Sequence, residues 1–164
     1  MFKLIGNNMV NKIRFERDKV IRVASQLFWQ KGFYATSTRD LQEAVNMRPG
    51  SIYAAFGSKE GLYSESLKDY TVQMKSQIEG FLSSADSVLG GLRAFVENVV
   101  IKTKDCCPSA ICMLVKANSE FSEKHSSLYT LSVELAAEFE SYLTQLFEQA
   151  INNGELNNTL TGLE

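Results

Sequence analysis

Apolar residues in this 164-residue chain recur at alternating spacings of three and four, and no useful stretch alternates apolar with polar residues. Side chains spaced in this way fall on one stripe of an α-helix. Val20, Val23, Ala24, Leu27 and Phe28 form one such stripe; Leu92, Phe95, Val96, Val99 and Val100 form another. Leu128, Leu131, Leu135, Phe139, Tyr142, Leu143, Leu146, Phe147 and Ala150 form the longest. Two prolines and ten glycines leave little room for the many tight turns of an all-β fold. The pattern predicts an all-α protein. With 45% hydrophobic and 22% charged residues, the composition excludes a collagen, a disulfide scaffold and a disordered chain. No apolar run approaches the ~20 residues of a membrane helix.

Local signals divide the chain. Residues 1–12 hold Gly6, Asn7, Asn8 and Asn11 with no sustained period, and read as a flexible N-terminal arm. From Ile13 the period is helical, and Gly32 supplies a stop. Ser37 can cap a helix from Thr38 to about Val45, with Asp40 closing a capping box. Asn46 tolerates a positive φ, and Pro49 suits the first turn of a second short helix to Phe56. Gly57 ends it, Ser58 caps the next, and Glu60 favours that helix's positive end. Two short helices joined by a four-residue turn make a helix-turn-helix candidate within a domain of residues 13–60. Beyond it, a long helix runs from Leu62 to about Leu82 and residues 83–91 read as a loop. Further helices follow around a break at residues 105–109, where Pro108 cannot continue a helix, and Gly154 closes the last.

Charge follows the same division. Residues 1–60 carry ten basic and five acidic residues, and residues 61–164 carry seven basic and fourteen acidic. A basic first third on an acidic remainder points to a local anionic partner, which the overall net charge of −2 conceals. The three cysteines, Cys106, Cys107 and Cys112, form no secreted framework and fit a reducing, cytoplasmic setting. The first ten residues are too short and polar for a secretory signal. The single histidine, His125, lies away from the cysteines, so no ligand pair has metal spacing and no metal or cofactor is expected. Without a Gly-rich phosphate loop or a nucleophile–histidine pairing in sequence, the chain does not read as an enzyme.

Leu27-Phe28, Lys31-Gly32-Phe33, Ser37, Leu41, Val45, Gly50, Ile52-Tyr53, Phe56, Ser58-Lys59 and Leu62 stand together without a gap between Val20 and Tyr63. In this combination the stretch resembles the DNA-binding domain of TetR-family transcriptional regulators. It departs from that pattern at Gln42, where a small residue is usual, and at Asn46, where glycine is. The resemblance implies an N-terminal three-helix DNA-binding domain joined by a long helix to a C-terminal helical effector-binding and dimerisation domain, residues 61–164. It implies that the helix from Pro49 enters the major groove, with Arg48, Pro49, Gly50, Ser51, Tyr53 and Ala54 facing DNA and Ser37 and Arg39 contributing from the helix before. Lys59 and the amides behind Ser58 would hold a phosphate, and Tyr53 another. Arg48 and Arg39 would be the guanine readers, since Ala54 offers only a methyl contact.

The same resemblance implies a homodimeric repressor on a near-palindromic operator, released by an effector. The stripe of Leu128, Leu131, Leu135, Phe139, Tyr142, Leu143, Leu146 and Phe147 would supply the dimer contact. Met74, Ile78, Phe81, Phe95, Val99, Met113 and Phe121 are candidates to line an apolar effector pocket. Cys106, Cys107 and Cys112 are candidate thiol sensors, because some relatives sense electrophiles or oxidants through a cysteine near Cys112's position, and Lys116 follows Cys112 by one turn. The effector is thus a small molecule or a cysteine modifier. The chain stops soon after Gly154, shorter than the family's usual length, as a naturally short or truncated form would. The alternative is a helical dimerisation module without DNA binding, which the basic first sixty residues oppose.

Overall fold

A computed structural model of the chain describes residues 3–102, 108–109, 111–121 and 126–156. Among these residues it is all helical, as the periodicity predicts. The elements are α1 (Lys3–Lys31), α2 (Thr38–Val45), α3 (Pro49–Phe56), α4 (Lys59–Ser83), α5 (Val88–Phe95), a π-helical turn (Val96–Lys102), α6 (Met113–Glu120) and α7 (Ser126–Asn152). Helix α4 is the spine and packs against α1, α3, α5, α6 and α7.

Two apolar clusters hold these helices together. The first gathers Ala24 and Phe28 of α1, Phe33, Leu41, Ile52, and Leu62, Tyr63 and Leu67 of α4. It continues without interruption into Met113, Leu114 and Ala117 of α6, Phe121, and Leu128 and Leu135 of α7. The second gathers Ile78 of α4, Val88, Leu92 and Phe95 of α5, and Leu146 and Ala150 of α7. Residue 60 therefore falls within the first turn of α4, and the core beneath it runs from a first lobe, α1–α3 with the start of α4, into a second, made by the helices that follow.

Two readings from the sequence are corrected. The expected arm of residues 1–12 is helical from Lys3, continuous with α1. Asparagine and a lone glycine lower helix propensity by at most about 1 kcal/mol each, which a long helix absorbs. The expected loop at residues 83–91 ends earlier, because α5 begins at Val88. Ser87 Oγ accepts the Gly90 N–H at 3.0 Å, and the Glu155 carboxylate accepts those of Val88 and Leu89 at 3.1 and 2.8 Å. Gly91 is required by close packing: a Cβ there would lie 2.8 Å from Leu82 Cα. Glycine in this segment thus marks a helix crossing.

The turn between α2 and α3 forms as its residues predict. Asn46 is left-handed, at φ 53° and ψ 43°, and its N–H reaches Gln42 O. Asn46→Gly should leave stability nearly unchanged, whereas Asn46→Ala should lose about 1 kcal/mol, because alanine keeps the Cβ but lacks the short polar side chain that lets asparagine tolerate the left-handed region. Urea denaturation followed by circular dichroism checks both.

Candidate nucleic-acid interface

The interface is built from the first turn of α2 upward. Ser37, extended at φ −80°, accepts the Asp40 N–H on Oγ at 3.1 Å, and Asp40 Oδ2 accepts the Ser37 N–H at 2.8 Å. Lys31 Nζ sits 2.6 Å from Asp40 Oδ1 and ties the end of α1 to this cap. These donors, Lys31 first and then Ser37, hold the Asp40 carboxyl well below the usual range. Leu41 is buried beneath α2, so the helix is fixed at its cap and at one apolar anchor.

Helix α3 is fixed in the same economical way. Pro49 stands in its first turn, and Arg48 is its extended N-cap with φ −70°. Ile52 is 1% exposed and pins α3 to the core, while Gly50, Ser51, Tyr53, Ala54 and Ala55 face outward. Tyr53 is 41% exposed, and its hydroxyl shares a 3.1 Å hydrogen bond with Thr38 Oγ1. That bond joins the start of α2 to the middle of α3 in one polar surface. Gly57 ends α3 at φ +75°. Ser58 then caps α4 by accepting the Gly61 N–H at 3.1 Å. Gly61 lets the chain reverse this sharply, since a Cβ there would collide with Phe56 O.

Of the residues expected to face nucleic acid, Arg39, Arg48, Gly50, Ser51, Tyr53 and Ala54 are exposed on this double helix unit. Arg39 lies along α2 in an ion pair with Glu43 at 2.8 Å. The Ser37 hydroxyl is engaged in the cap. Lys59 is half-buried, and its ammonium rests 4.3 Å above the centre of the Phe33 ring. Burial pulls its pKa down, against the upward pull of Glu60, Glu120 and Asp40. Thr38 was missed in the sequence; its position one residue past the cap, facing Tyr53, was the available signal.

A second site lies behind this unit. A cleft of about 720 Å³ is lined by Trp29, Tyr70, Met74, Phe95, Val99 and Cys112 among others. Of the residues expected to line an effector pocket, Met74, Phe95 and Val99 line this cleft. Ile78 and Met113 are fully buried core, Phe121 is packed among aromatic rings, and Phe81 packs edge-on to Phe95. These four do not line the cleft. Apolar identity alone does not separate a wall from a core. Trp29 and Tyr70 were missed; they meet edge to face at 5.2 Å. Cys112 is half-buried in the cleft wall, with the Tyr70 hydroxyl 3.5 Å from its sulfur. Lys116, expected to serve Cys112, instead donates to the carbonyls of Trp29 and Gln30 at 2.9 and 3.1 Å. Cys106 and Cys107 lie outside the described residues.

The stripe expected to supply the dimer contact faces inward within one chain over most of its length. Leu128, Leu135 and Leu146 are buried within one subunit, and Leu131, Phe139, Tyr142 and Leu143 pack against its two cores. Phe139, Leu143 and the exposed Phe147 line the cleft. One apolar stripe can serve only the surface it faces, and this one faces α4, α5 and α6. The outward line of α7 is Tyr129, Val133 and Ala137.

Residues 20–65 match the family described as "Bacterial regulatory proteins, tetR family". The chain is 46% identical over 57 residues to the HTH-type transcriptional repressor BdcR of Escherichia coli (strain K12), covering 35% of this chain and 29% of that one. It is 36% identical over 88 residues to the repressor ComR of the same strain, covering 51% and 42%. The aligned stretches thus span less than half of either curated relative. A cysteine-substituted form of the TetR-family regulator CifR, solved with a 26-bp double-strand operator DNA, superposes with a TM-score of 0.74 at 29% identity, covering 88% of this chain and 76% of that one.

The ionised Asp40 carboxylate gives the α2 cap a defined pH response. Its folded pKa is depressed, so its contribution is complete above the unfolded value near ~4 and is lost as pH falls through the folded one. Urea denaturation from pH 7 down to strong acid should show Asp40→Asn removing that acid-side loss and lowering stability at neutral pH.

Proposed function

Because residues 20–65 match the TetR family, we propose that this chain is a sequence-specific DNA-binding repressor acting as a cytoplasmic homodimer. The observation that carries the reading is the outward face of α3. It is anchored by one buried residue, Ile52, and presents Gly50, Ser51, Tyr53 and Ala54 beside exposed Arg48. A helix held this way is spare in side-chain bulk and can lie deep in a major groove. Tyr53 and Thr38 offer hydroxyls to one phosphate. Lys59 and the first free amides of α4 offer charge and N–H groups to another, at the positive end of a 25-residue helix. Arg48, and Arg39 once released from Glu43, supply the fork geometry that reads guanine.

The dimer contact belongs to the outward line of α7, with Tyr129 and Val133 each more than two-fifths exposed. A twofold pair would set two α3 helices about 34–36 Å apart on a near-palindromic operator. The cleft behind Trp29 and Tyr70 is the effector site. Its described lining carries no charged side chain, so it suits a neutral, apolar molecule. Cys112 in its wall offers covalent capture as the other route to release. Either would act by favouring a helix spacing that no longer fits the operator.

The test is fluorescence anisotropy on labelled DNA from upstream of the gene, beside a scrambled duplex, over a range of salt. The native duplex should bind preferentially, with affinity falling as salt rises. Lys59→Met should weaken both duplexes alike and lower the salt slope by about 1. Arg48→Ala should cost about 1–3 kcal/mol on the native duplex only. Equal binding of the two duplexes by the parent chain would contradict a sequence-specific repressor.

A further inference from the structure

We propose that Glu120, in the last turn of α6, is a positioning residue for the phosphate-binding corner: its carboxylate governs how strongly Lys59 holds a DNA phosphate. This rests on the DNA-binding reading above and adds to it a link between the cleft and the DNA-facing surface.

The geometry centres on Phe33. Glu120 Oε2 accepts the Phe33 N–H at 2.7 Å, although the two residues are 87 apart in sequence. The approach is so close that a Cβ on Gly32 would collide with the carboxylate. On the other side of the same residue, Lys59 Nζ lies 4.3 Å above the ring centre. One residue therefore has a carboxylate from the second lobe on its amide and an ammonium from the DNA-facing corner on its ring. Glu120 is also among the charges that favour the protonated Lys59.

The choice of a carboxylate here is informative. Gly32 and Phe33 follow the last turn of α1, a 29-residue helix whose C-terminal end carries partial negative charge. An acid placed against that end is repelled, and a glutamine could accept the same N–H without the repulsion. Lys116, one turn earlier on α6, offsets the conflict by donating to the Trp29 and Gln30 carbonyls. The charge strengthens the clasp on the Phe33 N–H, and it acts beyond the clasp as well. Placed across Phe33 from Lys59, it competes with phosphate for the ammonium and repels an incoming phosphate directly. Both effects have the same sign.

The other end of α6 meets the cleft. Ile111 and Cys112 are in the cleft wall, and Ile111 O accepts the Trp29 indole N–H at 2.7 Å. Helix α6 has eight residues, about 12 Å of rigid rod. A shift of its first turn by a molecule in the cleft therefore moves Glu120 relative to Lys59. The same helix holds the end of α1 through Lys116, so the cleft and the phosphate corner share one lever.

A double-mutant cycle tests this without an effector. Affinity is measured by anisotropy on a labelled mixed-sequence duplex at low salt, where phosphate contacts dominate. Glu120→Gln keeps an acceptor for Phe33 and removes the charge. Lys59→Met keeps an apolar chain on the Phe33 ring, and circular dichroism confirms that each variant is folded. Glu120→Gln should bind about three- to five-fold more tightly than the parent, the scale of one partly screened charge near a phosphate. In the Lys59→Met background the gain should fall to less than about half of that. Unchanged or weaker binding by Glu120→Gln, or the same gain without Lys59, would overturn the proposal. Absence of DNA binding by the parent chain would instead defeat the reading on which it rests.

Discussion

Four aromatic rings at the end of α1 hold the molecule together. Phe28 and Tyr63 meet edge to face at 4.9 Å, Phe33 meets Tyr63 at 5.2 Å, and Phe121 meets Phe33 and Tyr63 at 5.3 Å each. They come from α1, the segment after it, α4, and the end of α6. Each ring buries a large apolar area, and edge-to-face pairs add about 0.5–1.5 kcal/mol beyond that area. Burial also pushes the Tyr63 hydroxyl pKa up, so the ring stays neutral through the physiological range. Since α2 and α3 hang from the same core through Leu41 and Ile52, the direction of the exposed helix face depends on this corner. Removing one ring would open a cavity at the junction of both lobes, typically costing about 3–5 kcal/mol.

Polar contacts then decide what the corner can transmit. Lys31 reaches the α2 cap from α1, Lys116 reaches the last carbonyls of α1 from α6, and Trp29 reaches Ile111 across the cleft. The end of α1 is thus a shared terminal for the exposed α2–α3 unit, α6 and the cleft. Such contacts, one exposed ion pair and hydrogen bonds to backbone carbonyls, are individually worth only about 0–1.5 kcal/mol. Their value here is directional, because they fix elements that the aromatic cluster alone would allow to slide. An interface made only of rings would be stable without being informative.

What the sequence made legible was local. Ser37 with Asp40, Asn46, Gly57 and Ser58 are each sufficient to set a cap or a turn, and each does so where expected. Their chemistry involves residues no more than five apart, so no knowledge of the tertiary fold was needed. Roles that depend on what faces a residue were less legible. Leu128 and Leu135 have the periodicity of an interface helix, but their partners are α6 and the first lobe of their own chain. Ile78 and Met74 differ little in character, yet one is core and the other borders the cleft. Glu120 had no motif at all: its partner, Phe33, becomes its neighbour only through the fold.

In the proposed dimer, this shared corner sets the direction of each α3 and the pairing of α7 sets their spacing, matched to one turn of DNA. Spin labels on Ala55→Cys, exposed on the last turn of α3 and outside the residues assigned to DNA, with Cys106, Cys107 and Cys112 replaced by serine, read that spacing by pulsed dipolar spectroscopy. With operator DNA bound, the account predicts one narrow inter-subunit distance near ~34–36 Å. No inter-subunit distance, or a broad distribution that DNA leaves unchanged, would contradict it.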